Sequence, residues 1–490
     1  MKKNLLSLAV LLGGLAAVSC QSAKEEVKNE VALKPRVVIM TDIAPKDVEP
    51  DDQESMARLL AYADQLEIEG IITTVGWNVD PYPTEWADSL TRMIDAYAVD
   101  VKNLMKRSGQ TDFLSLEEES SQPQPIGYWP SADYIRSRAV MGSQKAGIGV
   151  IGKDNDTDGS RLIIKLVDEA DERPIWFCGW GSANTLAQAI WRVQQERTPE
   201  EVKAFVRKCR LYTITDQDMV FDMHENLAYS SHQWLRKDFA DDLLFIWDET
   251  AWISQASWGV RRWNEYAEQI QGHGEMGKAY PKNRQGVEGD TPSFLHVMPN
   301  GLNNPDEPAQ VGWGGMHLWN VTKDSITYCW TLIEEEQRQI SLDYESHFYL
   351  QEFNDFAARM QWAAEGKGNR NPIVIVRSAT SGDAYTEGLK NGQGGLDAIQ
   401  VKAKAGSTLE LDASGSTDPD GDELSFYWWI QPEAGTCKDS IAIEPSNQAK
   451  AALTIPASAA GTTLHIILEV TDNGTPALTA YRRVIVTVEL

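Results

Sequence analysis

The sequence predicts an α/β protein with a mostly parallel sheet flanked by helices, followed by an all-β sandwich. Three observations carry this. Apolar strand-like runs alternate with segments of helical period over residues 36–335. The first run, Val37-Val38-Ile39-Met40, ends in the acidic loop Thr41 to Asp52. In the last hundred residues, short alternating runs such as Leu464 to Thr471 and Tyr481 to Val488 are separated by turn clusters such as Asp418-Pro419-Asp420-Gly421-Asp422 and Asp472-Asn473-Gly474.

In chain order, Lys2 and Lys3 precede a short apolar stretch, Leu5 to Ala17, that ends at Val18-Ser19-Cys20. This reads as a secretory signal over residues 1–20. Cys20 matches a bacterial lipobox and is the expected lipidation site, although Ala17 stands where a larger aliphatic is usual; an ordinary signal peptide that happens to contain Cys20 is the alternative. Residues 21–35 are a polar tether. Within them Lys24-Glu25-Glu26 resembles the export signals of Bacteroidetes surface lipoproteins. The expectation is a protein lipid-anchored in the bacterial cell envelope, facing the periplasm or on the outer-membrane surface, and touching membrane only through its lipid.

After the first strand, Met56, Leu59, Leu60 and Ala63 fall at helical spacing. Ile68 to Thr74 is a second strand, and Leu90, Met93, Ile94 and Tyr97 mark a helix. Pro174 to Cys178 is taken as the third strand, followed by a helix from Ala183 to Trp191. Thr198-Pro199-Glu200-Glu201 is a helix start, with an N-cap, proline in the first position and a capping-box glutamate. Arg210 to Thr215 and Leu243 to Trp247 complete the set. Residues 336–375 read as a helical connector with Phe353, Phe356, Met360 and Trp362 on a docking face, and residues 376–490 as the sandwich. Trp428 and Trp429 share a strand and so face opposite ways, one into the core and the other toward the surface.

The formal charge of −27, or −29 once Lys2 and Lys3 leave with the signal, disfavours nucleic acid and anionic lipid as partners. Neutral substrates and cations fit better. Beyond Cys20 the cysteines are Cys178, Cys209, Cys329 and Cys437; they show no metal-type spacing, and Cys178 and Cys209 lie in apolar runs. Seventeen tryptophans suit sugar stacking, but also plain core packing.

The chemistry concentrates in the acidic loop. Carboxylates at the C-terminal end of a buried strand repel one another unless a cation holds them, and hard oxygen ligands suit calcium or magnesium. This loop looks like the acidic signature of nucleoside hydrolases. More closely, the chain resembles the bacterial family of cellulose-binding proteins with a nucleoside-hydrolase-like domain and an immunoglobulin-like tail. The matching segments are Glu49-Pro50-Asp51-Asp52, Ile68-Glu69-Gly70, Gly159 to Ile163, Trp180 to Ala187, Asp216-Gln217-Asp218 and Glu288 to Leu295. The resemblance implies a calcium ion held by Asp42, Asp52, the Ala183 carbonyl and Asp290. It implies Asp51 and Asn78 as sugar-binding residues, with Asn184 and Asp218 as further pocket residues. Asp42 is expected to act as general base. Two departures stand out: Lys46 and Asp47 lengthen the loop, and Gly289 occupies the position where many nucleoside hydrolases carry a histidine that helps the base leave. An acid would then come from His224, His273, His296 or His317, or from Asp216 or Asp218 if burial raised the pKa.

The tail motif Asp412 to Asp422 resembles a stretch of immunoglobulin-like and cadherin-like modules, and reads as an acidic turn or a calcium site. Three functions compete. The first is calcium-dependent hydrolysis of a glycosidic bond, N- or O-linked, in extracytoplasmic glycan utilisation. The second is true nucleoside N-ribohydrolysis. The third is carbohydrate binding without turnover. Nucleoside hydrolases commonly assemble, so a homo-oligomer is possible.

Overall fold

The computed structural model describes residues 32–218, 227–283, 285–378 and 398–490. The signal, Cys20, most of the tether and His224 lie outside them. Eight strands form one sheet: β1 Arg36–Thr41, β2 Glu67–Thr73, β3 Ala139–Met141, β4 Ile175–Gly179, β5 Cys209–Ile214, β6 Leu244–Asp248, β7 Leu318–Val321 and β8 Tyr328–Thr331. Their order is β3-β2-β1-β4-β5-β6-β8-β7, all parallel except β7, which pairs antiparallel with β8 at one edge. The segment Pro174 to Cys178 is therefore the fourth strand. The short β3 lacks an apolar run long enough to announce it.

The sheet is covered on both faces, as a parallel sheet requires. On β1, Val37 and Ile39 pack toward helices Pro50–Ala61, Asp88–Ser108 and Glu335–Glu365, while Val38 and Met40 pack toward Asp158–Asp168, Asn184–Glu196 and Pro199–Arg207. The capping box on Pro199–Arg207 forms as read, between Thr198 and Glu201. The strand order reverses direction between β1 and β4, so the crevice at their carboxyl ends is the topological switch point where ligands bind in such sheets.

Helix Glu335–Glu365 is more than a connector. Phe353, Phe356, Met360 and Trp362 are buried in the α/β core, and the helix packs on Asp88–Ser108. Gly366, left-handed at φ 66°, ends it.

The tail pairs β10 Ile399–Lys404, β15 Thr479–Glu489, β14 Thr463–Asp472 and β12 Leu424–Ile430 in one sheet, against β13 Lys450–Thr454, β11 Thr408–Asp412 and β9 Arg377–Ser378 in the other. Trp428 fills its core. Trp429, on the opposite face of the strand, is packed against the α/β domain. Tyr344 stacks on it at 5.5 Å, and its indole donates to Glu469 at 2.8 Å. The Asp412 to Asp422 stretch is an acidic turn: Asp418 accepts from the Asp420 and Asp422 amides, and Asp420 pairs with Arg107 and Arg370. No helix among the described residues is long and apolar enough to cross a membrane.

Candidate functional site

β1 carries Thr41 and Asp42 to the carboxyl edge of the sheet. Helix Pro50–Ala61 starts beside them with proline in its first turn and Asp51 and Asp52 at its amino end, where the helix dipole favours carboxylates. Thr41 Oγ1 donates to Asp52 Oδ1 and accepts the Ile43 amide at 3.0 Å. Tyr82 donates to the Ile43 carbonyl and Gln53 to the Ala44 carbonyl, both at 2.7 Å, which pins the start of the lengthened loop. Asp42 is only 3% exposed. Gly76 and Gly181 wall it in: a Cβ on Gly76 would meet Asp42 Oδ2 at 1.7 Å, and one on Gly181 would meet the Val75 carbonyl at 2.7 Å. Only glycine permits that approach.

Glu49, Asp51 and Asp52 offer oxygens that all lie within 4.8 Å of one another. Asp290 closes on the same cluster. A Cβ on the adjacent Gly289 would sit 3.0 Å from Asp51 Oδ2, and Asp290 Oδ2 is buried with no hydrogen-bond partner. Burial raises the pKa of all five carboxyls. For Asp42 the charges of Asp52, Glu49 and Asp51 add to it, and for Asp290 those of Asp52, Asp51, Asp42 and Glu49. Asp52 is raised by burial and then by Asp51, Asp51 by burial, and Glu49 to about 8 by burial and then by Asp51. Among the described residues no ion pair reaches any of the five. An all-oxygen donor set, an orphaned buried oxygen and crowded like charges are the environment a hard divalent cation neutralises, so these residues fit one.

The structure therefore brings Asp42, Asp51, Asp52 and Asp290 together, and adds Glu49, which the sequence reading quoted without giving it a role. Three carboxylates in the four positions Glu49 to Asp52 were the available signal. Ala183 caps helix Asn184–Glu196, and its carbonyl accepts the Ala187 amide at 3.0 Å, so only its second lone pair is open to an ion. Asn78 is exposed and donates to Glu49 at 2.6 Å. Asn184 Nδ2 is bound to the Lys145 carbonyl and Ser143, while its Oδ1 is buried without a partner. Asp218 has both oxygens engaged, one by Ser182 Oγ and the other by the Ser231 amide and hydroxyl, so it anchors the loop after β4. Asp216 accepts from Ser230 at 2.8 Å, and its Oδ2 is buried and unpartnered.

Two of the histidine candidates for the acid are in the wrong place. His296 and His317 pack against Tyr212, and His296 also against Trp176 at the start of β4, the opposite end of the sheet from Asp42. Burial pushes His296 down to about 4, and burial and then the neighbouring His296 hold His317 well below the ordinary histidine value, so both are neutral. His232, which no motif marked, is the buried histidine of the site loops. Its Nε2 accepts the Ala183 amide at 3.0 Å, and its Nδ1 lies 3.6 Å from Asp216. Two non-glycine residues flank this region in left-handed backbone, Thr215 (φ 54°) before Asp216 and Glu288 (φ 56°) before Asp290. Such strain gathers at functional sites.

Residues 36–317 match the family described as cellulose-binding Sde182, nucleoside hydrolase-like domain, and residues 408–488 match the cellulose-binding protein Sde0182 C-terminal domain. A nucleoside hydrolase-related hypothetical protein from Saccharophagus degradans, described as associated with carbohydrate metabolism, is 33% identical. The match covers 93% of this chain and 100% of that one, with a TM-score of 0.75. A PKD domain solved in solution is 22% identical over 19% of this chain and 81% of that one, and human CDH23 EC21-23 is 13% identical over 24% and 33%; at TM-scores of 0.15 these matches carry no weight. No curated protein matches. A fold with its acidic crevice at the switch point, matched over more than half its length, places the chain in the family of cellulose-binding Sde182 proteins with a nucleoside hydrolase-like domain.

Proposed function

We propose that the acidic crevice is the active site of a calcium-dependent hydrolase of glycosidic bonds, acting outside the cytoplasm on sugars from complex glycans. The observation that carries this reading is a set of five carboxyls, four buried and Asp51 half-buried, with no counter-charge among the described residues, at the ligand-binding edge of the sheet. Asp42, Asp52, Asp290 and the free lone pair of the Ala183 carbonyl would hold the ion, with Glu49 as an added ligand. Bound there, calcium supplies the charge that makes a nearby water a better nucleophile and orients vicinal hydroxyls. Asp42 accepts the proton of the attacking water on its carboxylate, kept in place by Gly76 and Gly181. Asp51 and Asn78 take sugar hydroxyls. The carboxylates around the anomeric carbon offset the positive charge of an oxocarbenium-like transition state. Asp218, with both oxygens engaged, positions Ser182; of the two aspartates considered as acid, Asp216 keeps an unengaged oxygen.

The rival reading is a carbohydrate-binding protein without turnover, anchored through Cys20. It is favoured by the cellulose-binding description of the family and by Gly289 where a histidine would help a nucleobase leave. Sugar release from a panel of nucleosides and plant or algal oligosaccharides, with calcium and with chelator, separates the two. The hydrolase reading expects release that needs calcium and falls by about 10²–10⁴-fold in Asp42→Asn. No release across the panel, with calcium-dependent glycan binding kept in both proteins, establishes the binding reading instead.

A further inference from the structure

We propose that the cleft between the α/β domain and the sandwich is a second binding site, separate from the acidic crevice, that takes a neutral oligosaccharide. The cleft has a volume of about 700 Å³, within the range of ligand sites. It lies at the amino ends of the strands: Lys34 and Pro35 ahead of β1, and Arg173 and Pro174 ahead of β4, contribute to its wall. Asp42 is at the other end of β1.

The opposite wall is a row across three strands of the sandwich. Gln400 on β10 is in register with Ile485 on β15, and Ile485 with His465 on β14, so the three side chains share one face. Their neighbours Val401, Val484 and Ile466 point into the sandwich core.

Three nearly buried polar side chains line this cleft, and two of them, Gln310 and His465, have a polar atom with no partner among the described residues. Gln310, 4% exposed, accepts the Asn304 amide on Oε1 and has no partner for Nε2. His465, 7% exposed, takes Arg483 Nη1 on Nδ1 at 3.2 Å, which leaves the proton and a free donor on Nε2. Asn303, 6% exposed, donates to the His296 carbonyl, and its Oδ1 is turned away from the cleft, against Gly312. Buried polar atoms are ordinarily satisfied. Two neutral donors at one cleft match the oxygens of sugar hydroxyl groups. The lining does not select for charge. Arg173 is paired with Asp171 and Glu67, Asp306 with Arg210, and Lys34 Nζ is bound to the Ala63 carbonyl and Gln124; only Glu307, exposed, carries an unpaired charge. Trp176 and Ile485 add apolar surface for the pyranose C–H faces.

The test is calorimetric titration of the full chain with cellohexaose, xylohexaose, mannohexaose and laminarihexaose, all in chelator so that the acidic crevice is without its ion. At least one hexaose is expected to bind. Its Kd should be unchanged in Asp42→Asn, raised about tenfold or more in Ile485→Trp, which fills the cleft, and raised about fivefold to tenfold in Gln310→Ala, the loss of one hydrogen bond. Gln400→Ala, at an exposed position that leaves the fold untouched, should weaken binding about threefold or more, so the question survives if a buried variant misfolds. No binding of any hexaose in chelator overturns the proposal. So does binding that is lost in Asp42→Asn and kept in Ile485→Trp and Gln400→Ala. Sugar release is not the readout, so failure here leaves the hydrolase reading standing, and the reverse.

Discussion

Glu288 and Asp290 are two residues apart, both buried, and treated in opposite ways. Glu288 is fully matched: Arg58 pairs with it at 2.6 Å, Gln255 donates at 3.1 Å and Tyr280 at 2.8 Å. Its own amide donates to Glu54 at 2.8 Å. Arg359 serves Asp64 and Asp355 in the same manner. Asp290 has an oxygen with no partner and four carboxylates for company. Glu54 and Arg58 lie on the same helix as Asp51 and Asp52, so this one helix feeds both the matched network and the unmatched cluster. The chain can place arginine beside a buried carboxylate where only folding is at stake. Around Asp42 none of the described residues plays that part, and carboxyls crowded in this way are what a bound cation would neutralise.

The comparison breaks most visibly at Arg58. Arg58→Met leaves Glu288 buried and unpaired, and should cost about 3–5 kcal/mol of unfolding free energy in urea titration, with or without calcium. Next is the cation itself. Calcium at a hundred times its Kd should stabilise the wild type by about 2.7 kcal/mol, and Asp52→Asn should abolish most of that gain in thermal melts. The pH dependence sharpens the point. In chelator, the folded state keeps protons on carboxyls whose pKa values are raised; Glu49 is raised to about 8, where the unfolded chain has released its proton near 4.5. The unfolded state then binds fewer protons, so stability should fall as pH rises from about 4.5 to about 8. Calcium should flatten that slope; an identical slope with calcium would refute the cation site.

A smaller effect of opposite sign separates the neighbours. In chelator, Asp290→Asn removes like-charge repulsion and should stabilise by on the order of 1 kcal/mol, whereas Glu288→Gln should destabilise. The smallest effect is at the domain contact, where Glu469 accepts from His347 at 2.6 Å and raises the histidine's pKa. That stability is present below the unfolded value near 6.5 and is lost as pH rises through the folded value. The pair is partly exposed, so His347→Gln should remove only a few tenths of a kcal/mol of this dependence, read as melting temperature against pH.

Most of the sheet was legible because strand and helix periods are local. Val37 to Met40, Ile68 to Thr74 and the Thr198 capping box each carry their own signal within a few residues. The acidic loop was legible for the same reason, since Asp42, Glu49, Asp51 and Asp52 fall within eleven positions. Asp290 was reached only through family resemblance, since nothing local ties it to Asp42.

What the sequence by itself determined was the two-part architecture, the acidic loop at the end of the first strand, and a charge suited to cations and neutral ligands. Tertiary structure decided the rest. It turned Trp429 onto Tyr344, built helix Glu335–Glu365 into the core, brought His232 to Ala183, moved His296 and His317 to the far end of the sheet, and aligned Gln400, Ile485 and His465 across three strands. Each of these depends on which surfaces meet after the strands have paired. Periodicity fixes which face of an element is apolar; only packing chooses what that face, or the polar one behind it, will touch.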